Sequence, residues 1–364
     1  MRNRLFNFFG GEDGESYPDF FLKWDNAVNE GEKPGFYETE ELIDIIEIYI
    51  IREKFKRAKH AINYALRFYS DNDDLISEIF LLLNDYGRWN DILTICEQIK
   101  DELDAWINSH RLTALLHLGM EEEAFLLFRK LLKEYAGDEE DLSTVYQAMG
   151  EALCDVDLFD SSIEVAQEAL KVLGEDASFY WIQMRCYIAL DNKKEIYELL
   201  EVVQKLNPLD PDIWMHVGVT FTEIGEVEKA VEAFEYAQSL GRDTEEVLKH
   251  IIRVYENGGD LKKALEKCKE LLVLCPSDFV TNMMVVGINF QLENWSEAIE
   301  YLDKTLKITP AMEALYLQKS DFLLRMEEYE KAKSVLKEGL INTEDRGGSI
   351  SKELSELDKK YPNY

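Results

Sequence analysis

The residues of this chain that could do acid–base, metal or thiol chemistry are five histidines, five cysteines and 73 aspartates and glutamates. His60, His110, His117, His216 and His250 show no HExxH or comparable spacing, so no resident metal is expected. His216 and His250 stand 34 residues apart. If each sits on its own helix, the helices lie about 8–10 Å apart, a strained geometry for two ligands with no third in sight. Cys96, Cys154, Cys186, Cys268 and Cys275 are odd in number and contain no CxxC pair, which points to neither a disulfide framework nor a zinc knuckle. Cys268 and Cys275 read as a core and a joint residue. No GxSxG elbow or GxxxxGK[ST] phosphate loop occurs, and Gly10, Gly11 and Gly14 precede no strand–helix unit. Because acids are so abundant, carboxylate pairs one helical turn apart arise on every solvated face and carry no catalytic information. Neither an enzyme nor a bound cofactor is expected.

Charge narrows the classes further. Lys and Arg number 40 against those 73 acids, a formal charge of −33 over 364 residues. A polyanion repels nucleic acid and anionic membrane surfaces alike, so partners of those kinds are not expected. No apolar run approaches the roughly 20 residues of a spanning helix, and Met1-Arg-Asn-Arg-Leu-Phe-Asn-Phe-Phe9 is too short an apolar stretch for a signal peptide. A cytoplasmic location is the expectation. Length alone suggests two or three domains at about 150 residues each, and 46% hydrophobic residues is ordinary globular content.

The elements that would position any functional side chain show themselves as a period. Ala230, Ala264, Ala298 and Ala332 are spaced 34 residues apart, and Pro208, Pro276 and Pro310 fall on the same grid. Extended backwards, the grid gives units starting at 39, 73, 105, 143, 177, 211, 245, 279 and 313, the second short and the third lengthened at Gly137-Asp-Glu-Glu-Asp141, a loop composition. At unit positions 4, 11 and 24, 24 of 27 residues are apolar or aromatic, twice what composition predicts. Asn108, Asn282 and Asn289 are the exceptions. A one-residue register shift in unit eight removes the last two and places Met283, Gly287 and Phe290 inward.

Unit 211–244 carries Trp214, Gly218, Phe221, Gly225, Ala230, Phe234 and Ala237 at positions 4, 8, 11, 15, 20, 24 and 27, and so resembles the tetratricopeptide repeat family. Turn signatures such as Gly87-Arg-Trp-Asn-Asp-Ile and Glu293-Asn-Trp-Ser-Glu-Ala extend the resemblance over about 39–346. It implies an all-α fold, a right-handed superhelical solenoid of tandem helix–turn–helix units, each burying its apolar stripe only against a neighbour. Ser162 and Ile196 replace the usual small Ala, so units four and five are expected to pack less closely. With no Gly/Ser/Pro-rich linker, one array replaces the two or three domains.

An open stack needs solvated ends. Residues 1–38 read as a tail with a capping helix at about 19–30, where Phe20, Phe21, Trp24, Ala27 and Val28 follow helical spacing. Residues 347–364 read as a C-terminal capping helix with Ile350, Leu354 and Leu357 inward. Residues 1–16, with Arg2, Arg4, Phe6, Phe8 and Phe9, read as a tail, a docking peptide or an anchor on the array itself.

The family geometry implies that the first helix of each unit turns positions 5, 6 and 9 into a concave groove. Units one to four place Asp44, Glu47, Glu78 and Glu151 there with no base. Units five to eight, with the register shift, place Trp181, Ile182, Arg185, Met215, His216, Val219, Lys249, His250, Arg253, Met284, Val285 and Ile288 there with no acid. In so acidic a chain this reversal suggests a site for an acidic, apolar protein segment. Arg185, Lys249 and Arg253 would pair with its carboxylates; Trp181, Met215, Val219, Met284 and Ile288 would take its side chains; His216 and His250 would tune affinity as pH falls toward about 6. No unit has Asn at position 6 or 9, so the family's clamp for a terminal carboxylate is not carried over. The expectation is a non-enzymatic protein-interaction scaffold. Its rivals are a homo-oligomeric assembly module and an acidic chaperone or regulatory subunit for a basic partner or a separately encoded enzyme.

Overall fold

A computed structural model describes residues 17–70, 72–99, 104–343 and 348–362, so residues 1–16 and the three readings given for them lie outside it. The chain divides into two compact halves, Met1–Cys186 and Tyr187–Tyr364. In the first half lie α1 (Asp19–Glu30), α2 (Thr39–Ile51), α3 (Phe55–Phe68), α4 (Asp73–Asp85), α5 (Trp89–Gln98), α6 (Ala105–His117), α7 (Glu121–Glu134), α8 (Glu139–Asp155) and α9 (Phe159–Leu173). The division falls inside α10 (Ala177–Ala189). The second half continues with α11 (Lys193–Leu206), α12 (Pro211–Glu223), α13 (Val227–Ser239), α14 (Thr244–Asn257), α15 (Leu261–Leu274) and α16 (Phe279–Gln291). It ends with α17 (Trp295–Ile308), α18 (Glu313–Arg325), α19 (Tyr329–Asn342) and α20 (Ser349–Lys360). Among the described residues there is no strand, and no helix is long and apolar enough to cross a membrane.

Why the helices come in pairs is visible at unit position 15. Glu53, Gly87, Gly119, Asp157, Asp191, Gly225, Gly259, Glu293 and Glu327 all have positive φ, between 51° and 78°. Each is the left-handed residue that ends a first helix. The next N–H bonds back to the position-11 carbonyl, as Glu226 to Phe221 and Glu328 to Leu323 do at 2.8 and 2.9 Å, and the position-15 N–H bonds to position 12. That is a Schellman motif, and it recurs in all nine pairs from α2/α3 to α18/α19. Six first helices also start on an Asp or Asn whose side chain caps a free N–H: Asn72, Asp104, Asp138, Asp210, Asp243 and Asp278. Such caps contribute about 1 kcal/mol each and give part of the acidity a structural use. Asp138 caps α8 at Glu139, so Glu139–Asp141 form its first turn instead of the surface loop that their composition suggested.

Both ends are closed by their own helices. In the first half Trp24 is fully buried, edge-on to Tyr37 and Tyr64 at 5.1 Å each, while Tyr49 Oη donates to Asp25 at 2.7 Å and Arg57 pairs with the same carboxylate. In the second half Ala230, Ala264, Ala298 and Ala332 are fully buried, and α20 sets Ile350 and Leu357 against that core. Lys333 fastens α20 by donating to the Tyr361 carbonyl and pairing with Asp358, each at 2.7 Å.

Two expectations are corrected. Ser162 and Ile196 are both fully buried, and the Ser162 hydroxyl donates to the Gly150 carbonyl at 2.7 Å, so α9 sits directly against α8 in unit four. The register shift in unit eight does not occur. Asn282 and Asn289 are fully buried, Phe290 is exposed, and a Cβ on Gly287 would meet nothing within 4 Å. The physical reason covers Asn108 too. Each amide donates to the carbonyl four residues back: Asn108 to Asp104 at 2.9 Å, Asn282 to Asp278 at 2.8 Å, Asn289 to Val285 at 3.0 Å. A buried amide that satisfies its donor locally is tolerated where an unpaired one is not.

Candidate peptide-binding faces

The chemistry-bearing residues are occupied structurally. His110 stacks on Phe80 at 4.5 Å, His117 on Trp89 at 4.0 Å and His250 on Phe234 at 5.0 Å, while His60 lies 6.1 Å from Trp24. Among the described residues no three His, Cys, Asp or Glu converge as metal ligands. Burial against Phe234 holds the His250 pKa below the ordinary histidine value, with Glu246 pulling it partly back. His250 therefore gains charge at a lower pH than an ordinary histidine does.

The ten groove residues divide between the halves, with Trp181 and Arg185 in the first and the other eight in the second. In the first half, Trp181 is half-buried and Arg185 exposed, while Ile182, expected beside them, is core. Arg185 is not waiting for a ligand: its Nη2 meets Asp155 Oδ1 at 2.6 Å. Position 13 of the preceding first helix, here Asp155, reaches across to the groove positions. In the second half, Met215 and Ile288 are buried, at 6% and 1% exposure, and cannot take a ligand's side chain. Ile288 and Val285 turn inward because unit eight keeps the unshifted register.

What that half does present, on α12, α14 and α16, is His216, Val219, Lys249, Arg253 and Met284, together with Met283, which the register error hid. Lys249 Nζ pairs with Glu245 Oε1 at 2.5 Å, and Cys275 Sγ donates to the other oxygen of Glu245 at 3.2 Å. Arg253 is exposed and makes no ion pair among the described residues. So the count of three bases becomes one open cation and one shared cation in the second half, beside half-buried Val219, Met283 and Met284.

The first half carries the opposite sign on α2, α4 and α8. Asp44, Glu47 and Glu78 are half-buried, and Glu151 and Leu81 exposed. Burial raises the Glu47 pKa, as do Asp44 and Asp85, although Tyr86 Oη donates to it at 3.3 Å. Burial and Asp155 raise that of Glu151, against the pull of Arg185. Cavities of about 630 Å³ between α5, α6 and α7, lined by Leu93, Leu115 and Leu126, and of about 510 Å³ by α17, α18 and α19 include none of the ten expected residues. Sequence spacing held no signal for either, since both follow from how far neighbouring helices splay.

No family model matches the chain, and no curated protein does. Among solved structures, it is similar to a tetratricopeptide repeat protein from Parabacteroides merdae at 11% identity over 74% of this chain and 97% of that one, with a TM-score of 0.42. The C-terminal part of a TPR repeat-containing protein from Cytophaga hutchinsonii is 12% identical over 64% and 95%, at 0.47. Yeast Tom70 is 12% identical over 93% and 84%, at 0.39. Identities this low leave the assignment to the chain's own geometry: among the described residues, nine helix pairs, each turned at an equivalent left-handed residue and most of them 34 residues apart. The chain has the all-α tetratricopeptide-repeat fold.

Proposed function

We propose that this protein is a non-enzymatic interaction scaffold and that the first helices of its second half receive an acidic, apolar segment of a partner protein. The observation that carries this reading is Arg253, an exposed guanidinium that makes no ion pair among the described residues, although Glu256 feels its charge, in a chain of charge −33 whose other groove cations, Arg185 and Lys249, are each paired with an acid. Val219, Met283 and Met284 supply apolar and thioether contact beside it, and thioethers adapt to varied apolar anchors. The test is a selection from a random peptide library on the full chain. Acidic–apolar sequences should be enriched, and Lys249→Glu with Arg253→Glu should abolish their binding while far-ultraviolet circular dichroism is unchanged. Enrichment indifferent to those substitutions would refute the face.

A second reading has its own observation. Asp44, Glu47 and Glu78 lie half-buried on α2 and α4; burial, and after it Asp44 and Asp85, raise the Glu47 pKa although Tyr86 donates to it, and burial raises that of Glu151 against the pull of Arg185. That favours a basic partner for this half, as an acidic regulator would have. Enrichment of Lys/Arg-rich peptides lost on Glu47→Gln with Glu151→Gln, and lost steeply with added salt, would select it.

A further inference from the structure

Residues 54–70 hold five Lys and Arg and no Asp or Glu, in a chain with 73 acids against 40 bases. Most of this run is α3, which buries Ala58, Ala61, Ile62 and Ala65 in the core of the first half and turns Lys56, Lys59, Asn63 and Arg67 outward. Steps of three, four and four residues set those four on one stripe, about 16 Å long at the rise of a helix. Asp25 of α1 reaches the helix but is taken by Arg57, and Lys56, Lys59 and Arg67 make no ion pair among the described residues. Helix stability does not account for the charge either, since Lys56 and Arg57 stand in the first turn, beside free N–H groups where a cation is unfavourable. An aromatic edge runs beside the stripe. Phe68, 60% exposed, lies 4.5 Å from the Tyr64 ring with the Arg67 guanidinium 5.7 Å from its own. Phe36, 78% exposed, lies 6.3 Å from the Tyr69 ring. Tyr64 Oη donates to the Gly35 carbonyl and Tyr69 Oη to the Tyr37 carbonyl, each at 2.6 Å, so the backbone on both sides of Phe36 is fastened to α3. An exposed ring fixed in this way loses little further freedom when it is covered.

We propose that the outer face of α3, with Phe36, is a docking surface for a short acidic, aromatic segment of a partner protein, separate from the face proposed on the second half. Lys56, Lys59 and Arg67 pair with its carboxylates, and Phe36 and Phe68 flank its aromatic side chain. Charge complementarity sets the occupant's sign, because three open cations share one stripe of an otherwise acidic chain. The stripe sets its size, since about 16 Å is the span of roughly five residues of extended chain. A nucleic-acid duplex or an anionic bilayer reaches well past one helix and meets the surplus acids of a chain of charge −33. A short segment meets α3 and the loop before α2 alone.

The test is fluorescence anisotropy of the full chain with a fluorescein-labelled peptide of repeated Glu-Glu-Phe. It is run on the Lys249→Glu, Arg253→Glu variant, which removes the face proposed on the second half, so that the two readings fail separately. Binding should persist in that background, weaken steeply with added salt, and be lost on adding Lys56→Glu, Lys59→Glu and Arg67→Glu. Adding Lys205→Glu, Lys307→Glu and Lys337→Glu instead changes the net charge equally, and should leave binding within about twofold because those exposed lysines lie on other helices. Phe36→Ala should weaken binding by roughly tenfold with the far-ultraviolet circular dichroism unchanged. No binding in that background, equal losses from the two triple reversals, or indifference to Phe36→Ala would overturn the proposal. So would binding of oligothymidylate or of phosphatidylserine vesicles that is tighter than the peptide's and is lost with Lys56, Lys59 and Arg67, since the stripe would then be a phosphate reader.

Discussion

The indole Nε1 of Trp214 donates to the carbonyl of Pro208, six residues earlier, at 2.8 Å. Asn282 makes the equivalent bond to Pro276 at 3.2 Å and Tyr316 to Pro310 at 3.0 Å. The three prolines on the 34-residue grid each precede a unit whose position 4 is a side-chain donor, so the two features form one device that ties an inter-repeat joint to the next helix.

Tyr316→Phe should therefore cost about 1–2 kcal/mol, since the buried hydroxyl serves Pro310 and also accepts from Asn342 Nδ2 at 2.9 Å. Tyr180 occupies the same position in unit five, where Gly174 stands in place of the proline. Tyr180→Phe should change stability by less than about 0.5 kcal/mol. Urea midpoints of the two variants check the pair, and equal shifts would dissolve the device.

The same residues mark how far the sequence could be read. The small residues at position 20 and the apolar ones at positions 11 and 24 are dictated by packing of like units, so their period shows in the chain itself. Asn282 looked like a register error because its partners are backbone carbonyls, whose positions exist only once the helix and joint are folded. The candidate face lost Met215 and Ile288 to the core and Arg185 to Asp155 for related reasons. Side-chain direction and cross-helix reach are set by neighbouring helices, which a one-dimensional grid does not carry. Met283 was legible all along in the unshifted register.

The left-handed turns offer a gain of stability. Glu53, Glu293 and Glu327 hold φ of 56°, 56° and 61° where four other units place glycine. A side chain with a Cβ pays about 1 kcal/mol in that region. Replacing any of the three by Gly should raise stability by roughly 0.5–1 kcal/mol, and Gly225→Ala, at φ 78°, should lower it by about as much. Thermal melts of the four variants test the sign, and a destabilised Glu327→Gly together with an unaffected Gly225→Ala would contradict it.

Two glycines within helices should respond oppositely to the same substitution. A Cβ on Gly218 would lie 2.7–2.8 Å from three atoms of the Phe234 ring, so α12 and α13 must separate to admit it. Overpacking of this kind costs about 1–3 kcal/mol and outweighs the better helix propensity of Ala. Gly287 faces nothing within 4 Å, so Gly287→Ala keeps only the propensity gain of about 0.5–1 kcal/mol. Opposite shifts in urea midpoint are expected, and a stabilised Gly218→Ala would show that the two helices are less tightly seated.

Acidification should act on the first half through His110. Burial beneath Phe80 and Trp106, with ring centroids at 4.5 and 4.7 Å, lowers its pKa from 6.5 to about 4. A histidine with a depressed folded pKa favours folding in its neutral form, so its contribution is complete above about 6.5 and is lost as pH falls toward about 4. The shift corresponds to at most about 3 kcal/mol across that window. Carboxylates titrate over part of the same range, so the informative quantity is the difference from His110→Leu, which keeps the apolar contact and removes the proton site. The wild type should lose stability faster than the variant between pH 6.5 and 4, by up to that amount, in urea titrations at several pH values. Parallel curves would mean that the ring is protonated in place without penalty, and that its stack on Phe80 is not the closed apolar contact described above.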